Sequence, residues 1–313
     1  MPRPGCPPCF SVAGTVFFRK GYDKMKKRRD AIFYFLILLP AMSLFVVFFV
    51  IPVAQSLLLS FTDSYGMRSS YRWVGLSNYI EALTDKSFVS TISLTFKYTS
   101  VAVLAGNLLS LALALMLDRP VRGRNLLRSV FFIPNIMSVL VVGYVWRFVY
   151  TGAVPDILEL LRQPIVAVLG KPQSVIYALA VVGIWNCAGY YMIIYLSSLQ
   201  AISDDLLEAA EIDGANGWHV LWNIKLPLIS PTLFTCLILS CAAHMKTFEI
   251  PYTMTSGGPA GASTTMVLKI YNTAYNANRT GYATAQSTIF FLLLASVSLV
   301  LTIFMRRRED KLS

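Results

Sequence analysis

The chain has 313 residues, of which 56% are apolar and 14% are charged, and its net charge is +11. Soluble domains carry about 25% charged residues, so this composition excludes an ordinary soluble protein. The lysines and arginines lie beside apolar runs and form no basic stripe with interleaved aromatic residues. That distribution sets the orientation of a membrane protein and gives no support to nucleic-acid binding.

Six segments are apolar over about 20 residues, the length of helix that crosses a bilayer core of about 30 Å. Pro40, Pro52 and Pro134 lie within these runs, where membrane helices tolerate proline as a kink. The sequence therefore predicts an all-α integral membrane protein with six transmembrane helices. The predicted spans are residues 31–61, 98–117, 129–150, 174–199, 232–253 and 286–305.

The basic residues also predict the orientation of the spans. They concentrate in residues 19–29, 119–128 and 306–311, which lie before the first span, between the second and third spans, and after the last. Cytoplasmic loops carry the excess of Lys and Arg, so both termini are expected to be cytoplasmic. Residues 1–24 are expected not to be native, because Met25 opens a Met-Lys-Lys-Arg-Arg run that resembles a natural start.

The loop between the fourth and fifth spans breaks the local charge pattern, because its acidic residues outnumber its basic ones. Ser203 is placed to cap a first short helix, and Gly214 suits the left-handed turn that ends it. A second short helix at residues 218–224 is expected to stop before Pro227. On this reading alone the loop is either an interfacial hairpin or a docking element for a partner.

The loop resembles the signature of permease subunits in binding-protein-dependent ABC importers. The matching residues are Glu208-Ala209-Ala210, then Gly214 after three residues, Ile224 after nine more, and Leu226-Pro227 after one more. Asp213 and Ala215 beside Gly214 resemble the carbohydrate branch of that family. The resemblance implies the type I ABC importer permease fold. It also implies that residues 203–227 fit a cleft on a cytoplasmic ATPase and transmit its motion.

A second motif refines the resemblance. Sugar importers pair two types of permease, and one type resembles this chain in a Thr-x-Gly-Gly-Pro motif followed by a threonine. The larger maltose permease and the first glycerol-phosphate permease are of this type. The motif residues here are Thr255, Gly257, Gly258 and Pro259. The family implies a heterodimer with a second permease subunit, a cytoplasmic ABC ATPase dimer, an extracytoplasmic solute-binding protein and surrounding membrane lipid. It also implies a multi-pass protein of a bacterial or archaeal plasma membrane.

The expected organisation follows from the spans and the resemblance together. A cytoplasmic tail at 1–30 and a first transmembrane helix at 31–61 precede an external loop at 62–97. The importer transmembrane domain occupies 90–305 and contains the cytoplasmic loop 201–231, and residues 306–313 form a cytoplasmic tail.

The sequence contains no G-x-x-x-x-G-K-[ST], H-E-x-x-H or G-x-S-x-G motif and no spaced Cys/His set. We therefore expect no catalytic residue, no metal site and no cofactor in this chain, with Mg-ATP bound by a partner ATPase. The protein is expected to be a subunit of a transporter and not an enzyme in its own right.

Polar residues in the spans suggest where a solute passes. Lys246 and Glu249 are three residues apart and are expected to pair on one helix face, in the external half of the membrane. Asn186, Tyr190 and Tyr191 offer hydrogen bonds and stacking surfaces suited to sugar rings. The alternatives are snorkelling charges and aromatic residues that pack or anchor at the interface. The alternative function is a secondary transporter of a polar solute, which needs no ATPase-docking loop.

Overall fold

The computed structural model describes residues 33–35, 37–66, 71–119, 122–162 and 167–309. The chain divides into two units, Met1–Leu58 and Leu59–Ser313. The helices of the described residues are α1 (Phe33–Leu59), α2 (Ser77–Thr84), α3 (Lys86–Asp118), α4 (Arg124–Ile136), α5 (Val139–Leu160), α6 (Val175–Leu199), α7 (Asp204–Ile212), α8 (Gly217–Leu228), α9 (Ser230–Met245), α10 (Glu249–Thr255), α11 (Met266–Tyr271) and α12 (Thr280–Glu309).

Four of these helices, α1, α3, α6 and α12, are long and apolar enough to cross a membrane. Two further pairs meet the same criterion as bent units: α4 with α5 at 96°, and α8 with α9 at 65°. Counting each bent pair as one crossing gives six in the described chain. The predicted all-α membrane class is confirmed.

The third span was predicted as one helix over residues 129–150, and this is wrong. α4 ends at Ile136, Met137 and Ser138 are extended, and α5 starts at Val139. The last carbonyls of a helix have no donor within it. Here Asn186 of α6 supplies one, because its Nδ2 donates to the Pro134 carbonyl at 2.7 Å.

The fifth span is also broken, although residues 232–253 were predicted as one helix. α9 ends at Met245 and α10 begins at Glu249. Pro251 has no amide hydrogen to donate to the Thr247 carbonyl, so a continuous helix would leave that acceptor unsatisfied. The Thr265 hydroxyl donates to it instead, at 3.0 Å.

Several predicted boundaries differ from the structure. α3 begins at Lys86 rather than at residue 98, and Asp85 caps it by accepting from the Ser87 amide at 2.8 Å. The predicted external loop 62–97 therefore contains α2 and the first turns of α3. α12 continues to Glu309, so the predicted tail 306–313 starts as helix. The predicted tail 1–30 and residues 310–313 lie outside the described residues.

α3 packs along α6, and this pair forms the centre of the second unit, with α4 and α9 beside it. Two glycines of α6 allow the close approach. A Cβ on Gly183 would overlap the Tyr98 hydroxyl of α3, and a Cβ on Gly189 would overlap the backbone carbonyl of Phe131 in α4. Small residues at such contacts are typical of membrane helix pairs, because lipid supplies no hydrophobic drive for association.

At the end of α3 that carries Lys86, the start of α12 is held by a two-pronged ion pair. Arg279 Nη1 and Nη2 lie 2.7 Å from Glu81 Oε1 and Oε2 of α2. A hydrogen bond to the Glu81 carboxylate raises the pKa of the Arg279 guanidinium above its ordinary value. The Gly281 amide adds a hydrogen bond to the Ser64 carbonyl at 2.9 Å.

Candidate functional site: a projecting loop and a polar cavity

The acidic loop is a helix, a left-handed turn and a second helix. α7 ends at Ile212, and Gly214 has φ +82°, which confirms the predicted left-handed turn. The Gly214 amide donates to the Glu211 carbonyl at 3.0 Å and the Ala215 amide donates to the Ala210 carbonyl at 2.9 Å. These bonds satisfy carbonyls that the helix end leaves free, so the turn has a defined shape.

Two local predictions for this loop are wrong. Ser203 occupies the N-cap position of α7 but its side chain makes no capping hydrogen bond. Asp204 and Asp205 supply the negative charge that favours a helix N-terminus. The second helix does not stop before Pro227. A π turn at Leu221–Lys225 opens the hydrogen-bond ladder just ahead of the proline, and α8 continues to Leu228.

Asn216 is a capping residue that the sequence reading missed, although Asn is a favoured N-cap type. Its Oδ1 accepts from the His219 amide at 2.9 Å, at the start of α8. In the helix that follows this cap, Trp218 and Trp222 are 68% and 55% exposed. Their rings meet edge to face with centroids 5.9 Å apart.

The predicted coupling residues share this loop surface. Ile212, 86% exposed, lies among them, so the surface combines carboxylates with uncovered apolar groups. Exposed apolar clusters rimmed by polar residues mark interaction sites. Glu208, Ala209, Asp213, Gly214 and Pro227 are exposed, whereas Ala210, Ala215, Ile224 and Leu226 are half-buried.

The loop is fastened at its base. Lys225 Nζ lies 2.5 Å from Asp118 Oδ2, at the last residue of α3. Ile229 is fully buried, and Leu226 packs against the same apolar cluster of α3, α6 and α9. The outer part of the loop, from Asp204 to Ile212, packs extensively against no other helix of the described chain. The loop is thus a projecting element on a fixed base.

A cavity of about 310 Å³ lies between α3, α4, α6 and the broken fifth span. All five residues predicted for a solute path line it, although they come from separate segments of the chain: Asn186, Tyr190, Tyr191, Lys246 and Glu249. Trp185 lies outside it, in an apolar groove of about 570 Å³, with its ring 5.5 Å from that of Trp146.

The predicted pairing of Lys246 with Glu249 is wrong. The break at residues 246–248 puts them outside a common helix, and no salt bridge joins them in the described chain. They are the charged residues among the described groups that line the cavity. Lys97 Nζ lies over the Tyr177 ring, 4.7 Å from its centroid, and Lys97 does not line the cavity.

The structure adds cavity residues that the sequence did not reveal. His244 Nε2 lies 3.5 Å from Cys187 Sγ, and both side chains line the cavity. Tyr98 is buried, and its hydroxyl makes no hydrogen bond of good geometry within the described residues, although Thr247 lies beside it. Their sequence signal was weak, since an isolated histidine or tyrosine in an apolar run is usually packing. No group of described residues is suited to hold a metal ion.

The second motif forms a compact turn after α10. Thr255 Oγ1 and Ser263 Oγ share a hydrogen bond of 2.7 Å, and the Ser263 hydroxyl donates to the Gly258 carbonyl at 2.6 Å. Gly257 has φ +89°, and a Cβ there would overlap Thr264 Oγ1. Pro259 follows Gly258 in the same turn. Just beyond the turn, Thr265 holds the Thr247 carbonyl in the cavity wall.

Comparison with known proteins identifies the family. Residues 106–312 match the family described as the binding-protein-dependent transport system inner membrane component. The chain belongs to this family. The predicted identity as an importer permease is therefore confirmed.

Curated relatives cover nearly the whole chain. The trehalose/maltose transport system permease protein of Thermococcus litoralis is 32% identical, over 91% of this chain and 97% of that protein. The sn-glycerol-3-phosphate transport system permease protein of Brucella abortus is 33% identical, over 89% and 94%. The probable starch degradation products transport system permease protein of Thermoanaerobacterium thermosulfurigenes is 29% identical, over 91% and 98%.

Solved structures show the same fold. A bacterial ABC transporter involved in the import of the acidic polysaccharide alginate has a chain that superposes with a TM-score of 0.80 at 23% identity, over 92% of this permease and 99% of that chain. The alginate transporter in complex with alginate pentasaccharide-bound periplasmic protein gives 0.77 at 22%, over 92% and 96%. The predicted type I ABC importer permease fold is confirmed.

Proposed function

We propose that this permease carries a sugar or a closely related polyhydroxylated solute. The cavity is the observation that supports this most directly, because its wall combines the amide of Asn186, the phenols of Tyr190 and Tyr191 and two opposite charges with apolar residues. Pockets with a few placed polar groups and aromatic faces suit ligands that both stack and hydrogen-bond. The names of the curated relatives, with trehalose, maltose and starch products among their solutes, support the same class.

The proposed assembly follows the family. This chain forms half of the translocation path with a second permease subunit, a cytoplasmic ABC ATPase dimer binds Mg-ATP and docks on residues 203–227, and an extracytoplasmic binding protein delivers the solute. The protein itself performs no covalent chemistry. The positive-inside rule supports a cytoplasmic position for both termini and for the loop, in a bacterial or archaeal plasma membrane.

The proposed mechanism is alternating access. Closure of the ATPases on ATP moves the projecting loop, and the spans re-orient so that the cavity opens to the other side. Glu208 and Asp213 with the exposed Ile212 form the docking surface. Thr265, which follows the turn at residues 255–259, holds the Thr247 carbonyl between Lys246 and Glu249 in the cavity wall.

The test begins with purification of the tagged chain in mild detergent and mass-spectrometric identification of its partners. The complex is then reconstituted in liposomes and assayed with labelled maltose, trehalose and sn-glycerol 3-phosphate. We expect a Walker-motif ATPase, a second permease, and ATP-dependent uptake of a sugar that the Glu208→Lys variant loses while it still inserts. A chain recovered alone that transports without ATP would contradict the proposal and support a secondary transporter.

A further inference from the structure

Two charged residues 107 positions apart in the chain meet where the loop joins the spans. Lys225 Nζ lies 2.5 Å from Asp118 Oδ2, and their side chains are only 20% and 14% exposed. Lys225 ends the π turn of α8, and Asp118 is the last residue of α3. Among the described residues, this is the ion pair that joins the loop to another helix.

The position of Asp118 is unfavourable without its partner. A carboxylate at a helix C-terminus faces the negative end of the helix dipole. Leu117 beside it is fully buried, and Leu226 next to Lys225 packs in the same apolar cluster, so water reaches the pair poorly. Removing one member of such a pair leaves a charge that is unpaired and only partly solvated. The pair therefore fixes one relative position of α8 and α3.

α3 is suited to carry a movement away from this point. It is an unbroken helix from Lys86 to Asp118, whereas the third and fifth spans are broken. Tyr98, in the cavity wall, lies 20 residues before Asp118, which is about 30 Å along the helix axis. One continuous helix thus connects the base of the loop to the cavity.

We propose that the Lys225–Asp118 ion pair is the link through which movement of the loop reaches α3 and the cavity. This inference rests on the proposed docking of the loop on an ATPase. Both residues are positioning residues and neither contacts the solute. Apolar contacts such as that of Leu226 resist separation but permit sliding, whereas the ion pair holds two particular atoms, Lys225 Nζ and Asp118 Oδ2, within hydrogen-bond distance of each other.

The test follows two distances in the complete reconstituted transporter, on a background without native cysteines. The first distance, between spin labels at Leu108 of α3 and Leu299 of α12, follows the movement of α3. The second, between labels at His219 of the loop and Leu299, follows the movement of the loop. All three positions are exposed. Distances are measured with and without ATP and vanadate. This readout needs no knowledge of the solute. When Lys225 and Asp118 are both present, both distances are expected to change on addition of ATP and vanadate.

Lys225→Met and Asp118→Asn are expected to leave the loop distance responsive to nucleotide while the α3 distance stops changing. Solute transported per ATP hydrolysed, with the sugar found active in uptake, should fall about tenfold. The exchange variant Asp118→Lys with Lys225→Asp should restore the α3 response. Glu81→Gln with Arg279→Gln removes the other ion pair of the described chain and should leave this response intact.

The outcomes distinguish a failure of the ion-pair link from a failure of the proposed docking of the loop on an ATPase. If α3 still follows nucleotide in Lys225→Met, or if the exchange variant fails to restore it in a complex that still hydrolyses ATP, the ion pair is not the link. If neither distance changes in the native pair, the docking of the loop on the ATPase is itself wrong, and this inference falls with it.

Discussion

The hydroxyl of Tyr195 donates a hydrogen bond to Asn107 Oδ1 at 2.6 Å, which joins α6 to α3 in the interior of the helix bundle. Asn107 Nδ2 donates in turn to Ser240 Oγ of α9 at 2.8 Å, and all three residues are buried. Polar side chains in lipid-embedded helices are costly when unsatisfied. This small network therefore fixes the relative rotation of three spans.

Replacing Tyr195 by Phe tests that network. The change leaves Asn107 Oδ1 without its donor and is expected to cost about 1 kcal/mol of stability. The measurement is the apparent melting temperature of the complex in detergent. Tyr144→Phe is the matched control, because Tyr144 is exposed on α5. Equal melting temperatures for the two variants would show that the Tyr195 hydroxyl contributes nothing.

Gly189→Ala is expected to separate α4 from α6. The new Cβ would overlap the Phe131 carbonyl and approach Phe132 Cα, and backbone cannot move aside as a side chain can. We expect a loss of about 3 kcal/mol, seen as little folded protein in size-exclusion chromatography. Gly106→Ala is the control, since its Cβ would meet Ile184 Cγ1 at an ordinary 3.7 Å. Equal damage from both alanines would refute the close-approach argument.

Gly214→Ala tests the turn of the loop. Gly214 has φ +82°, a backbone conformation in which a side chain costs about 1 kcal/mol. No atom lies within 4 Å of the added Cβ, so the effect of the alanine comes from the backbone alone. The turn is expected to shift, with reduced uptake and weaker co-purification of the ATPase. Gly217→Ala has equal space without the left-handed backbone and should behave like the native protein. A fully active Gly214→Ala would mean that the turn is not needed for docking.

Charge removal tests the cavity. Lys246→Gln and Glu249→Gln are each expected to raise the solute concentration for half-maximal uptake roughly tenfold, because in the proposed role each side chain makes a charge-assisted hydrogen bond to the solute. Uptake of the labelled sugar is measured at equal expression. Lys97→Gln, outside the cavity, should change uptake little. If all three variants have the same solute concentration for half-maximal uptake, Lys246 and Glu249 do not contact the solute.

Apolar length predicted the spans because the bilayer itself dictates how long such a helix must be. The breaks were not predictable in the same way. Pro251 sits in an apolar run like other tolerated prolines, and a break ahead of it is accommodated because the Thr265 hydroxyl supplies the donor that the Thr247 carbonyl lacks. A break of this kind depends on a tertiary hydrogen bond that no local pattern contains.

The candidate site was likewise predictable only where residue types within the spans carry the signal, and not where folding brings distant residues together. Asn186, Tyr190 and Tyr191 were grouped because they lie in one predicted span and their side chains suit sugar rings, and Lys246 and Glu249 were added because they lie in the external half of the membrane. Their common cavity agrees with that grouping, although their role in transport stays a prediction. Asp118 and Lys225 carry no mutual signal, because each is an ordinary charge at a helix end and only folding brings them together.

A Cβ on Gly183 would overlap the Tyr98 hydroxyl, so α3 and α6 lie close together at the cavity wall. Tyr98 is about 30 Å along α3 from Asp118 and about 18 Å from Lys86. Near Lys86, Lys269 Nζ donates to the Ser87 hydroxyl at 2.7 Å. One continuous helix therefore contacts the base of the loop, the wall of the cavity and the helix that follows the second motif. A displacement of α3 as a rigid body would change all three contacts at once.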